Sequence, residues 1–278
     1  MAKPFRQRPR HERFPGKDEH RSPREEGSSA GSGDSPAAAR EGPGTLYVVA
    51  TPIGNLEDVT LRALRILREA PVIACEDTRT TGMLLKHLGI ERGDRRMVAY
   101  HDVNERRACH LLVDILKSGT DIALVSDAGT PLVSDPGYRV VSLAREAGLP
   151  VVPVPGPCAA VTALAASGLP TDRFTFYGFP PAKAGRRERL AQSLDEAHGT
   201  CIFYVPARQV PKFLADLEGA CPAWRVVVCR ELTKMFEEFV SGTPAEVQAA
   251  LAGRTLKGEV TLLAAPPVGG DPVPIDDD

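Results

Sequence analysis

Residues 126–137 read Ser-Asp-Ala-Gly-Thr-Pro-Leu-Val-Ser-Asp-Pro-Gly and follow an apolar run over 122–125. The run has the character of a buried strand, and a helical pattern follows the turn. Glycine and alanine in such a turn let a ligand approach the backbone closely. In open α/β sheets ligands lie at the carboxyl ends of strands. The segment therefore marks a small-molecule site. Three more turns of the same kind follow strand-like runs: 51–55 (Thr-Pro-Ile-Gly-Asn), 76–80 (Glu-Asp-Thr-Arg-Thr) and 155–159 (Pro-Gly-Pro-Cys-Ala). All four leave the same end of the expected sheet, so they converge on one crevice. A fifth stretch, 100–105 (Tyr-His-Asp-Val-Asn-Glu), is placed to join them.

The chemistry of that crevice is narrowed by what is missing. No GxGxxG follows the first strand, no GxxxxGK[ST] occurs, and no GxSxG elbow occurs. A dinucleotide site, a P-loop and a serine-hydrolase triad are thereby disfavoured.

The elements that must hold these turns alternate. Strands are expected over 46–49, 72–75, 122–125 and 151–154. Helices are expected over 59–69 (Asp58 as cap; Leu61, Leu64 and Leu67 inward), 81–88 and 105–118, and from Asp135-Pro136 to Gly148. Continuous apolar strands between helices predict a mainly parallel sheet covered on both faces. A second unit starts near Pro155, with a helix over 158–167 and strands over 174–177, 201–204, 226–229, 236–240 and 260–264. Helices near 187–197 and 245–251 intervene, the latter with a capping box at Thr243-Pro-Ala-Glu246. The later strands are less separated by helices, which predicts partly antiparallel pairing. The expected organisation is a disordered tail over 1–43, α/β domains over 44–155 and 156–265, and a disordered acidic tail over 266–278.

The chain has 278 residues, 42% hydrophobic, and a formal charge of -2. It is not a basic protein overall, so any nucleic-acid contact must come from local patches. Arg6, Arg8, Arg10 and Arg13 form one such patch in the expected N-terminal tail. No apolar run is long enough for a transmembrane helix, and no signal-peptide core is present. The six cysteines show neither CxxC pairs nor zinc spacing, which fits reduced core residues of a cytoplasmic protein and no metal site.

The combination of these motifs resembles the tetrapyrrole methylase superfamily of S-adenosylmethionine-dependent methyltransferases. Within it, the chain resembles the ribosomal RNA small-subunit methyltransferase I family. The resemblance is carried by TPIGNLEDVTLRAL from Thr51, CEDTRTTGMLL from Cys75, HDVNE from His101 and LVSDAGTPLVSDPG from Leu124. PGPCAAVTALAASGLPTDRF from Pro155, RELTKMFEE from Arg230 and LKGE from Leu256 extend it. Tetrapyrrole-modifying relatives usually carry a GDP-type turn in place of AGTP, which favours the RNA branch. The resemblance implies two α/β domains with the cofactor between them and a homodimer. The implied reaction is methylation of the ribose 2′-hydroxyl of cytidine 1402 in 16S rRNA. Two alternatives stay open: a tetrapyrrole (precorrin-type) methyltransferase, and a non-catalytic small-subunit assembly factor.

With S-adenosylmethionine as cofactor, Ala128 and Gly129 leave it room. Ser126, Asp127 and Thr130 offer polar groups, and Leu132 and Val133 wall the adenine. Pro52 lines the floor. Cys158 and Ala159 open a helix whose amides suit the cofactor carboxylate. By family analogy Tyr204, Val205 and Leu232 close the site from the second domain. Asp77, His101 and Lys183 are candidates to assist the attacking hydroxyl, and Arg79 can hold a phosphate. Asp77 equally suits a helix cap, and His101 a loop brace. Lys183, Arg186, Arg187 and Arg189 form the densest basic patch outside the tail and are the candidate RNA contacts. Arg62, Arg65 and Arg68 share a helix face and read more simply as solvated. One departure stands out. After Ile202-Phe203-Tyr204 relatives usually carry a Glu-Ser-Pro-His-Arg-like run, and this chain reads Val205-Pro206-Ala207-Arg208-Gln209, without that carboxylate and histidine.

Overall fold

A computed structural model describes residues 42–267. The expected tails lie outside the described residues, apart from 42–43 and 266–267. The first half builds β1 (Leu46–Val49), α1 (Leu61–Glu69), β2 (Val72–Cys75), α2 (Thr78–His87), β3 (Arg96–Ala99), α3 (Glu105–Lys117), β4 (Ile122–Val125), α4 (Tyr138–Glu146) and β5 (Val151–Val154). The second builds α5 (Ala159–Ser167), β6 (Phe174–Gly178), α6 (Ala184–Gln192), β7 (Thr200–Tyr204), α7 (Val210–Ala220), β8 (Arg225–Arg230), β9 (Glu238–Gly242), α8 (Pro244–Leu251) and β10 (Val260–Ala265).

The first sheet is wholly parallel, in the order β3-β2-β4-β1-β5. The chain steps one way from β1 to β3 and the other way from β3 to β5. Right-handed crossovers then put the helices on opposite faces. The packing agrees: Ala63, Ile66, Leu67 and Leu85 of α1 and α2 cover one face, and Leu112, Leu116, Val140 and Ala144 of α3 and α4 the other. Neighbouring strands β1 and β4 thus send their exit loops to opposite faces. That splits the sheet edge and opens a crevice there.

The second sheet is mixed, in the order β6-β7-β10-β8-β9. Only β6 and β7 are parallel; β10 and β8 pair antiparallel to their neighbours. Phe213, Leu214 and Leu217 of α7 and Val247 of α8 cover one face. Ala160, Ala163 and Leu164 of α5 cover the other, joined by Ile53 from the turn after β1. Among the described residues no helix is long and apolar enough to cross a membrane.

Several expected boundaries move for physical reasons. Asn55 caps a separate short turn over Leu56–Asp58, so α1 starts at Leu61 with Thr60 as its cap. Its inward residues are Ala63, Ile66 and Leu67, while Leu61 is exposed. The helix expected from Asp135-Pro136 starts at Tyr138 behind Gly137. Leu132 and Ser134 there adopt positive φ (73° and 67°), which holds the chain out of the helix. The segment expected over 187–197 is helical over Ala184–Gln192, and the strand expected over 236–240 lies at Glu238–Gly242. β3 and α7 were not anticipated. The capping box at Thr243 forms, with the Thr243 hydroxyl accepting from the Glu246 amide at 3.3 Å.

Candidate active site

The turn after β4 is stapled to its neighbours. Thr51 and Gly129 exchange two backbone hydrogen bonds, 2.8 and 3.0 Å, and the Thr130 hydroxyl donates to the Pro157 carbonyl at 2.9 Å. The buried Ser126 hydroxyl lies 3.2 Å from the Ala128 carbonyl and 3.5 Å from that of Gly129. Three separate turns are thereby fixed into one surface. Non-glycine residues at positive φ cost about 1–2 kcal/mol each, and such strain concentrates at functional sites. Leu132 and Ser134 carry it here, on either side of Val133.

That surface and the second sheet enclose a cleft of about 420 Å³. This is within the roughly 300–1,000 Å³ usual for small-molecule sites. Of the residues expected to hold the cofactor, Asp127, Ala128, Gly129, Thr130, Val133, Cys158, Ala159, Tyr204 and Val205 line it. Pro52, Ser126, Leu132 and Leu232 do not. Pro52 and Ser126 are buried behind the wall, Leu132 packs on the core of the first sheet, and Leu232 joins Ile53 in the core beneath α5. The cleft also takes in Ile53, Ser134, Asp135, Phe179, Pro206 and the start of β10 around Glu259. The signal for the last was the LKGE run from Leu256, which the sequence reading tied to no role.

α5 begins in this cleft, and Cys158 at its cap position makes no side-chain bond to the first turn. The Tyr204 hydroxyl accepts from the Ala160 amide at 3.2 Å. The positive end of a helix dipole favours an anion. Asp127 and Asp135 line the same cleft. Burial pushes the carboxyl groups of Glu76, Asp127 and Asp135 above the usual carboxylate range, and each is raised further by neighbouring acids. For Asp135 those neighbours are Asp127 and Asp102. Crowded carboxylates of this kind favour a bound cation, which relieves their repulsion.

The four candidate catalytic residues lie outside the cleft wall. Asp77 caps α2, accepting from the Arg79 amide at 2.7 Å, and that bond holds its carboxyl below the usual range. Its own amide donates to Asp127 Oδ1 at 3.2 Å, so it still braces the cleft. The Arg79 side chain is exposed, 3.6 Å from Asp77. His101 is half-buried, and its amide donates to Asn104 Oδ1 at 2.9 Å in a local turn. Lys183 occupies the exposed cap position of α6.

The basic patch divides. Arg186 and Arg189 are exposed, with Arg189 Nε donating to the Gly185 carbonyl at 3.0 Å. Arg187 is buried and paired with Asp216 of α7. Its guanidinium faces the protein interior, which corrects its expected place on the RNA-facing surface.

Comparison with known proteins follows the same outline. The family model for tetrapyrrole (corrin/porphyrin) methylases matches residues 45–248. The ribosomal RNA small subunit methyltransferase I of Pasteurella multocida is 50% identical over 224 residues, 79% of this chain and 78% of the relative. That of Escherichia coli O157:H7 is 48% identical over 79% and 77%. Among solved structures, uroporphyrin-III-C-methyltransferase from Thermus thermophilus superposes with a TM-score of 0.56 at 23% identity, covering 80% of this chain and 94% of that one. The cobalt precorrin-4 methyltransferase of cobalamin biosynthesis gives 0.55 at 17%, with the same coverage. These two share the fold. With a family model across most of the described residues and half-identical relatives along the same span, this chain belongs to the ribosomal RNA small subunit methyltransferase I family of tetrapyrrole methylases.

Proposed function

We propose that this chain transfers a methyl group from S-adenosylmethionine to the 2′-hydroxyl of cytidine 1402 in 16S rRNA, acting as a cytoplasmic homodimer on the small ribosomal subunit. One observation carries the cofactor assignment: a single cleft pairs the N-terminal end of α5, unbonded by its own cap residue, with a rim of carboxylates. That is the complement of an amino-acid ligand that also bears a second positive charge. When bound, S-adenosylmethionine supplies an electrophilic methyl on a sulfonium. The α5 amides then suit the carboxylate, and Asp127 suits the cationic end. Ala128 and Gly129 keep the wall thin, and Val133 and Val205 give it apolar character.

Methyl transfer to a hydroxyl is an in-line displacement, so positioning supplies much of the rate. The hydroxyl is a weak nucleophile, and a carboxylate whose pKa is raised is a stronger base toward it than one whose pKa is lowered. Asp135 lies in the cleft with its carboxyl raised by burial, which makes it the better acceptor. Asp77 is held ionised by its cap bond and serves the reading as a brace. Arg79, His101 and Lys183 stand outside the cleft and fall to the RNA side of the reading.

The decisive experiment adds purified protein and labelled S-adenosylmethionine to small subunits from a strain lacking the equivalent enzyme. A 2′-O-methylcytidine mapped to position 1402 by mass spectrometry is the expected product. Cofactor binding with no mark on subunits or on naked rRNA would move the assembly-factor reading ahead. The RNA surface has its own test. Arg186→Gln with Arg189→Gln removes two exposed cations, so the log–log salt slope of RNA binding should shrink by about two. Cofactor affinity should stay unchanged, and an unaltered slope would remove this patch.

A further inference from the structure

Phe179 has no part in the chemistry above, yet the chain works to place it. β6 pairs with β7 in parallel until a register shift between Phe176 and Gly178. Bulges of this kind re-aim the side chain that follows. Gly178 takes φ +67°, and a Cβ there would stand 3.1 Å from Ser134 Oγ, so the bend seats the end of β6 against the strained turn after β4. The next residue, Phe179, is turned into the cleft wall while 60% exposed. Two larger apolar residues of the same wall are covered: Ile53 is 8% exposed and Val205 2%. The Phe179 ring stands edge-on to Tyr204 at 5.7 Å, and Tyr204 is itself wedged against Phe176 at 4.9 Å and bonded to α5. The ring is therefore braced on one side and bare on the other. Four residues on, the exposed cations Lys183, Arg186 and Arg189 begin.

A bare, braced aromatic face beside phosphate-binding cations is how proteins hold unpaired bases of RNA. The geometry points to Phe179 as a stacking platform for the nucleobase of the nucleotide whose ribose enters the cleft. This inference rests on the RNA methyl-transfer reading. A cofactor adenine is the other planar ring within reach. The covered residues of the cleft suit it better, whereas Phe179 is exposed and precedes the basic patch by four residues in the chain.

The test compares Phe179→Ala, Phe179→Leu and Phe179→Tyr on unmethylated small subunits. Affinity of labelled protein for the subunits is measured alongside KM and kcat. Loss of one base stack should weaken subunit binding and raise KM about ten- to hundredfold. Leucine, apolar but without a π-face, should behave like alanine, and tyrosine should restore wild-type values to within about threefold. The Kd for S-adenosylmethionine should stay within about twofold throughout. Phe174→Ala, at an exposed phenylalanine at the far end of the same strand, should change nothing. A leucine variant equal to wild type would overturn the stack, because packing would then suffice. Cofactor affinity falling in parallel with subunit affinity would assign the ring to the adenine instead. If the wild type transfers no methyl, the function proposed above fails, while the direct binding series still decides the stack.

Discussion

Arg187→Ala should destabilise the protein by about 3–5 kcal/mol, the usual cost of removing one partner from a buried ion pair. In a chain of this size that lowers the unfolding midpoint by about 6–20 °C. Arg187 and Asp216 side chains are only 6% and 9% exposed, and the guanidinium Nε donates to Asp216 Oδ2. Alanine would leave the Asp216 carboxylate buried on α7 without its counter-charge. Most of the cost is that stranded charge rather than the worth of the pair. The double variant Arg187→Met with Asp216→Leu should therefore recover most of the loss, because an apolar pair strands nothing. Urea unfolding of both variants measures this directly. Arg186→Gln, on the exposed side of the same helix, should stay within about 0.5 kcal/mol of wild type. An unchanged midpoint for Arg187→Ala would mean that α6 is not pinned to α7 by this pair.

The same arginine shows where the sequence stopped being readable. Arg186, Arg187 and Arg189 stand close together in a run with no apolar contrast. Only the helix itself separates them, by bringing Arg187 onto the face of Ala191 one turn on. The first sheet was far more legible. β1, β2, β4 and β5 occupy the spans that their apolar runs indicated, and β2 and β4, buried at every position, show why: strands covered on both faces need uninterrupted apolar sequence. β3 is harder to read because Arg-Met-Val-Ala is not a continuous apolar run: Arg96 is exposed and only Val98 is buried. α7 follows Pro206 and contains Pro211, and proline inside a helical pattern ordinarily breaks it. Pro211 in fact sits in the first turn of the helix, where a missing N–H costs nothing. Its Val210, Phe213, Leu214 and Leu217 had the right spacing throughout.

The cleft divides along similar lines. Its near wall is local in sequence, because turns at the carboxyl edge of a parallel sheet must meet, and the strand order follows from handedness. Its far wall depends on which strand of a mixed sheet faces it. Nothing within Glu259-Val260-Thr261 announces that β10 lies between β7 and β8 and starts at the cleft. Phe179 depends on a bulge at Tyr177, two residues before it, a feature of pairing rather than of composition.

Gly129→Val should abolish cofactor binding, and Gly129→Ala should weaken it at least about tenfold. Gly129 takes φ +82° in the wall of the cleft. A side chain there meets two separate penalties. The left-handed backbone costs an L-residue about 1–2 kcal/mol. A Cβ would also stand 3.2 Å from Ile53 Cγ2 and 3.7 Å from the Pro157 carbonyl, and overpacking typically adds about 1–3 kcal/mol. The turn cannot simply swing away, because paired bonds to Thr51 and the Thr130 bond to Pro157 hold it on both sides. Relief must come from Ile53 or the turn moving, and both form the cleft wall. Gly148→Ala separates the two penalties. Gly148 has φ +68°, and a Cβ there meets nothing within 4 Å, so it carries the backbone cost alone. Calorimetric titration with S-adenosylmethionine should find Gly148→Ala unimpaired, although its unfolding midpoint falls. If Gly129→Ala bound the cofactor as tightly as Gly148→Ala does, the turn after β4 would not be the cofactor wall. The strain stored at Leu132 and Ser134 would then need another purpose.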